Sequence, residues 1–206
     1  MKLLLWFGLA ALVAQPVVAA EKSDAVTSAT AKYSSETASL KKIVTGSKIL
    51  VVYYSKTGNT ERVAKDIADT LGADIEKVID LKNRSGFFAW FGSGSDAMHK
   101  KLTDIQKLKY DASKYDIVII GSPVWGWNMT PAIRTYIEQN KTKLKDVAFF
   151  VTAGGTPAEN VVPSMEQASG KKALAYVGFV GKELKNKDVY WNKLTKFLES
   201  FGKGKD

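Results

Sequence analysis

Residues 55–60 read Ser-Lys-Thr-Gly-Asn-Thr, placing three hydroxyl side chains and a glycine in six positions. An apolar run, Ile49–Tyr54, leads straight into them, and the following residues, from Thr60 to Leu71, have helical spacing. A strand, a tight turn and a helix in that order aim the first backbone N–H groups of the helix at one point. The helix dipole favours negative charge at that point. The hydroxyls of Ser55, Thr57 and Thr60 add neutral donors, and Gly58 lets the backbone come close to a phosphate. The chemistry of this segment is anion binding.

Two further turns follow apolar runs. The first, Gly121-Ser122-Pro123-Val124-Trp125-Gly126-Trp127-Asn128, comes after Ile117–Ile120. The second, Thr152-Ala153-Gly154-Gly155-Thr156-Pro157, comes after Val147–Val151. Trp125 and Trp127 flank a glycine, and Trp90 and Phe91 occupy another segment expected near the same end. Large flat rings on a turn suit stacking against a flat ligand; the competing role is capping the core or packing on the next helix. Gly154-Gly155 can bring bare N–H groups to a ring edge, or can be a plain turn.

The elements that position these turns alternate. Apolar runs at Ile49–Tyr54, Ile75–Ile79, Ile117–Ile120, Val147–Val151 and Ala173–Val180 are separated by helical patterns. Those patterns fall at Thr60–Leu71, about Phe87–Leu102, Thr130–Asn140, Ala158–Ser169 and Tyr190–Phe201. Ile117–Ile120 and Val147–Val151 are apolar throughout, as parallel strands covered on both faces are. Five strands, each followed by a helix, predict an α/β fold, a three-layer doubly wound sheet. Ligands of such sheets bind beyond the carboxyl ends of the strands, where the strand order reverses. The three turns belong there.

The 206-residue chain suffices for one buried domain. It has no cysteine and one histidine, which excludes disulfides, thiol nucleophiles, thiolate metal sites and histidine clusters. Residues 1–20 carry Lys2, an apolar run from Leu3 to Ala14, and small residues before Glu21. They read as a Sec-type signal peptide cleaved after Ala20, giving a periplasmic or secreted protein. An uncleaved anchor tethering the chain to the membrane is the alternative, for which the run is short. Residues 21–47 read as a flexible Ser/Thr/Ala-rich tether, and residues 48–206 as the domain. The formal charge of +9 suits acidic partners, an anionic membrane surface or an anionic ligand. The lysines are scattered without interleaved aromatics, so no nucleic-acid partner is expected.

Ser55-Lys56-Thr57-Gly58-Asn59-Thr60 resembles the phosphate loop of flavodoxins: Thr or Ser, any residue, Thr, Gly, any residue, Thr. The other two turns look like the flavin-holding loops of short flavodoxin-like proteins, and the resemblance spans about Lys48 to Phe201. Flavodoxin is itself a standard illustration of the strand-reversal rule. The resemblance implies a five-stranded parallel sheet in the order 2-1-3-4-5 and FMN as cofactor. Ser55, Thr57, Asn59 and Thr60 would hold the phosphate and Gly58 would make room for it, with Lys56, at the variable position, facing solvent. Pro123, Val124, Trp125, Gly126, Trp127 and Asn128 would line the isoalloxazine, joined by Ala153, Gly154, Gly155 and Thr156. Gly121 or Gly126 would let a peptide turn its carbonyl toward the ring. A nucleoside-triphosphate loop needs a lysine between glycine and Ser or Thr, which is absent here; the spacing suits one terminal phosphate.

The resemblance implies an exported electron carrier serving a redox partner protein. The alternatives are an FMN-dependent NAD(P)H or quinone oxidoreductase of the same fold, and a binding module that has lost flavin. Family carriers are usually acidic, and this chain is basic. No side chain reads as a dedicated acid or base. His99 reads as a surface histidine, Asp80 and Asp96 as helix caps or solvated carboxylates in preference to groups orienting ribityl hydroxyls, Arg134 and Glu138 as a surface pair, and Tyr53 and Tyr54 as core residues on alternating faces.

Overall fold

The computed structural model describes residues 46–84, 87–155, 157 and 160–202. The signal peptide over residues 1–20, most of the tether, and Thr156 lie outside the described residues. Strand β1 (Ile49–Tyr53) leads into helix α1 (Asn59–Leu71), and β2 (Asp74–Lys77) precedes α2 (Phe87–Met98). Strand β3 (Ile117–Trp125) turns into the short β4 (Asn128–Met129), followed by α3 (Pro131–Asn140). Then come β5 (Asp146–Ala153), α4 (Val162–Ser169), β6 (Ala173–Val180), α5 (Gly181–Lys185) and α6 (Lys187–Glu199). The sheet runs β2-β1-β3-β5-β6, with β4 attached only to β3. All main pairings are parallel, so the five long strands follow the expected 2-1-3-4-5 order.

Two apolar clusters lie on opposite faces of this sheet. Val51, Ile119, Phe150 and Phe179 meet α1 and α6 through Val63, Ile67, Tyr190 and Leu194. Leu50, Val52, Val118, Ile120 and Phe149 meet α3 and α4 through Ile133, Tyr136, Ile137 and Met165. Neighbouring residues of one strand thus enter different cores, which is why β3 and β5 have no polar alternation. Tyr53 and Tyr54 divide between the two clusters in the same way.

The middle turn differs from expectation. Residues 121–125 continue β3 as strand, and only Gly126 and Trp127 form the connection to β4. Both have positive φ, +50° and +57°, as the two central residues of a tight hairpin of the inverted kind require. Gly121 therefore does not turn a carbonyl toward a ligand. It sits in the sheet opposite Phe150, and its carbonyl accepts the Tyr54 N–H at 3.2 Å. A Cβ there would lie 1.9 Å from the Phe150 ring.

The α2 pattern also ends early, at Met98. Lys100 adopts φ +56°, its N–H reaches the Ala97 carbonyl at 3.0 Å, and the Lys101 N–H reaches Asp96 at 2.9 Å. That pair of bonds is a Schellman termination, here with lysine where glycine is usual.

Gly121→Ala is expected to cost about 1–3 kcal/mol, as overpacking a filled core does. A Cβ on Gly154 meets nothing within 4 Å, so Gly154→Ala should stay within about 0.5 kcal/mol of the parent. Urea unfolding of the two variants measures the contrast.

Candidate functional site

The turn behind β1 is folded by its own first residue. The Gly58 N–H donates to Ser55 Oγ at 3.1 Å. Gly58 is the N-cap of α1 at φ +91°, and no side chain caps the helix. Its glycine is required by that φ, since the protein leaves the space around a Cβ open. The first helical bond runs from Arg62 N–H to the Gly58 carbonyl at 2.9 Å. The N–H groups of Asn59, Thr60 and Glu61 precede it and have no partner within the helix. Glu61, the one carboxylate of this first turn, is held by Lys77 at 2.8 Å and Lys65 at 3.1 Å. The hydrogen bonds from Lys77 and then Lys65 lower its pKa.

Thr60 is buried, and its Oγ1 lies 2.8 Å from Thr152 Oγ1 on β5. That contact ties the first turn to the strand feeding the third. Lys56 is exposed, as expected, and its Nζ donates to the Arg84 carbonyl at 2.5 Å and sits 5.8 Å from the Trp125 ring centroid.

A cleft of about 720 Å³ opens where the three turns meet. The first turn contributes Lys56, Thr57 and Thr60; the hairpin contributes Pro123, Val124, Trp125, Gly126 and Trp127; the third turn contributes Gly154 and Gly155. Of the other candidates, Ser55 and Gly58 shape the first turn without lining the cleft, and Asn59 opens α1 as an exposed residue. Ala153 ends β5 behind Gly154. Asn128 faces elsewhere: its Oδ1 accepts the Met129 N–H at 2.9 Å and Arg134 Nη2 at 3.1 Å.

A fourth wall comes from α2, through Ser93, Gly94, Ser95 and Met98. The run Gly92-Ser93-Gly94-Ser95 is poor helix-forming sequence, and that was the available signal. The hairpin docks backbone to backbone on this wall. A Cβ on Gly126 would lie 2.3 Å from the Gly94 carbonyl oxygen.

The two tryptophans are used differently. Trp125 is half-buried, edge-on to Tyr54 at 5.5 Å and 88°. Trp127 is 71% exposed. A left-handed conformation costs a non-glycine residue about 1–2 kcal/mol, and here little burial offsets it.

Behind Trp125 lies an ion-pair network that sequence reasoning missed. Arg84 Nε pairs with Asp80 at 2.5 Å, Arg84 Nη1 with Asp96 at 3.2 Å, and Lys82 with Asp96 at 2.7 Å. The Arg84 and Asp80 side chains are only 4% and 3% exposed. The guanidinium lies 5.8 Å from the Trp125 centroid, and Nη1 reaches Ser93 Oγ at 3.4 Å. Asp80 and Asp96 are thus buried anchors, where caps or solvated carboxylates were expected. The Lys82 hydrogen bond, then those of Arg84 and Lys101, outweigh burial and push the Asp96 pKa down to about 2. Arg134 is likewise buried. It bonds Asn128 and Ser164, while Glu138 pairs with Lys141. His99 is exposed on its own helical turn beside Ser95, as expected for a surface histidine. Among the described residues no group of His, Cys, Asp and Glu is arranged to hold a metal.

The flavodoxin family model matches residues 48–201. A flavoprotein of Lactobacillus acidophilus NCFM, solved in complex with FMN, is 24% identical with a TM-score of 0.57, covering 69% of this chain and 99% of that one. A flavoprotein candidate from Bacteroides eggerthii DSM 20697 is 26% identical with a TM-score of 0.58, covering 71% and 97%. Another, from Bacteroides uniformis ATCC 8492, is 22% identical with a TM-score of 0.58, covering 72% and 99%. No curated protein matches the chain.

Arg84→Met should destabilise by about 3–5 kcal/mol, because it strands Asp80 as an unpaired buried charge. Adding Asp80→Asn should restore part of that loss, and urea unfolding of the single and double variants tests it. Asp96 has a depressed pKa, so its contribution to stability is complete above about pH 4 and disappears as the pH falls toward 2. An NMR titration of the Asp96 carboxyl should show a midpoint well below the ordinary carboxylate range.

Proposed function

The chain belongs to the flavodoxin family, and from that we propose that its cleft binds FMN and that the protein transfers electrons outside the cytoplasm. The observation that carries the cofactor reading is the convergence of an uncapped helix start and an exposed, backbone-strained tryptophan on one cleft. The cleft volume falls within the about 300–1,000 Å³ of small-molecule sites. The residues present fit the group. The N–H groups at the start of α1 and the hydroxyls of Ser55, Thr57 and Thr60 would hold the phosphate with neutral donors. Trp125 and Trp127 would flank the ring, and the Gly154-Gly155 backbone would meet its edge.

Bound FMN supplies the redox chemistry, accepting and releasing electrons. The chain supplies orientation and electrostatics. Arg84 and Asp80 hold the wall behind Trp125, and Thr60 locks the phosphate end to the strand behind the glycine turn. Among the described residues, Lys56, whose ammonium is engaged by the Arg84 carbonyl, is the one titratable side chain lining the cleft. The export part of the proposal rests on residues 1–20.

Reconstitution with FMN should give the visible bands of a bound flavin, with flavin fluorescence quenched by the adjacent indoles. Charge-assisted hydrogen bonds contribute about 1.5–3 kcal/mol. Thr57→Leu with Thr60→Val should therefore weaken FMN binding by at least tenfold in a fluorescence titration. Unchanged affinity would remove the phosphate assignment. Trp127→Ala should weaken binding by about two- to tenfold, the size of one stacking contact. Sustained NAD(P)H oxidation with a quinone would replace the carrier reading by the oxidoreductase one.

A further inference from the structure

The sheet has one long unpaired edge, whose carboxyl end abuts the third turn of the cleft at Gly154 and Gly155. Strand β6 pairs with β5 on one side, and among the described residues no strand pairs with its other side. Its sequence, Ala-Leu-Ala-Tyr-Val-Gly-Phe-Val, contains no charge and no proline, the usual guards of an exposed edge. The amides at its two ends are already used. The Ala173 N–H donates to Glu166 Oε1 at 3.0 Å and the Val180 N–H to Glu183 Oε2 at 2.9 Å. These carboxylates bracket an open stretch from Leu174 to Phe179, about 20 Å long at about 3.3 Å per residue.

Two grooves follow that stretch, of about 420 Å³ and 580 Å³, and they share Tyr176, Val177 and Lys193. The two faces of the edge differ. Ala175, Val177 and Phe179 point toward the core beneath α6. Leu174 and Tyr176 point the other way and are 45% and 48% exposed. On the α6 side the groove carries Lys193 and Lys196, with Lys182 of α5 at its far end. Lys193 pairs with Glu183 at 2.9 Å. Lys182 and Lys196 are exposed and form no ion pair among the described residues.

We propose that the outer edge of β6 is a docking site for an extended acidic segment of a partner protein, which adds to the sheet as a further strand. Main-chain hydrogen bonds to Leu174–Phe179 would supply affinity, as in other strand additions. Side chains of an added strand alternate between faces. One set meets the lysines over α6 and is acidic; the other extends the Leu174–Tyr176 face and is apolar. A second copy of this chain is the poorer occupant. Pairing β6 with β6 would set the same lysines against each other on a protein of net charge +9.

The test uses the full chain with two synthetic seven-residue probes, one alternating Glu and Val and one alternating Lys and Val. Amide exchange and calorimetric titration are followed together. The Glu probe should bind at least tenfold more tightly than the Lys probe and slow exchange at least tenfold within residues 174–179. Lys182→Glu with Lys196→Glu, both at exposed positions, should reverse the preference while leaving the thermal midpoint unchanged. Equal binding of both probes, or binding without protection of 174–179, overturns the proposal. Slow exchange, in the free monomer, of those amides of 174–179 that point away from β5 overturns it in favour of the chain's own residues as the occupant. Concentration-dependent protection accompanied by dimerisation in sedimentation overturns it in favour of a second copy. The FMN readouts are separate, so failure here leaves the cofactor reading standing.

Discussion

Three peptide N–H groups at the start of α1, with no acceptor in their own helix, are the constraint around which the site is arranged. Nothing local relieves them: the N-cap is a glycine, and Ser55 spends its hydroxyl oxygen on Gly58. A helix whose first turn is left unsatisfied is stabilised by an anion placed there. The one nearby carboxylate is held by two lysines. The strand leading into this helix sits beside the point where chain order reverses, so β3 and β5 bring their own turns to the same place. The sheet, buried on both faces, fixes those positions before any ligand is present.

The remaining walls are held by polar contacts whose strength comes from burial. Arg84 links the segment after β2 to α2 through Asp80 and Asp96 and stands behind Trp125. Buried pairs of this kind add little net stability over apolar packing, but removing one member is costly. Their effect here is positional: they hold an aromatic plane and a helix of weak intrinsic propensity in register. Thr60 with Thr152 does the same between the first and third turns.

The fold was legible in the sequence because both-face burial leaves uninterrupted apolar strands, and Ile117–Ile120 and Val147–Val151 show it directly. The turn behind β1 was legible as a candidate anion site because its hydroxyls and glycine are local to six residues. The α2 wall was not, since Ser93 and Gly94 show no chemistry until the hairpin lies against them. The depth of Asp80, Asp96 and Arg134 was not legible, because local spacing says nothing about burial and their partners lie in other segments. Gly121 looked like part of a loop. Its reason is Phe150, a neighbour across the sheet 29 positions away that no local pattern reveals. Lys100 ends α2 with a residue that spacing reads as continuing helix.

The contact between the apex of the hairpin and the α2 backbone also bears on how such a protein diversifies. With the Gly94 carbonyl oxygen 2.3 Å from where a Cβ on Gly126 would sit, no side chain at 126 is tolerated without moving the helix. The width of the cleft on that side is therefore set by two main chains and is insensitive to drift in the residues lining it. Gly154 and Gly155 on the opposite side have open space around them. Variation that retunes what the cleft accepts is channelled there, so that one jaw is adjustable while the other is held by main-chain contact.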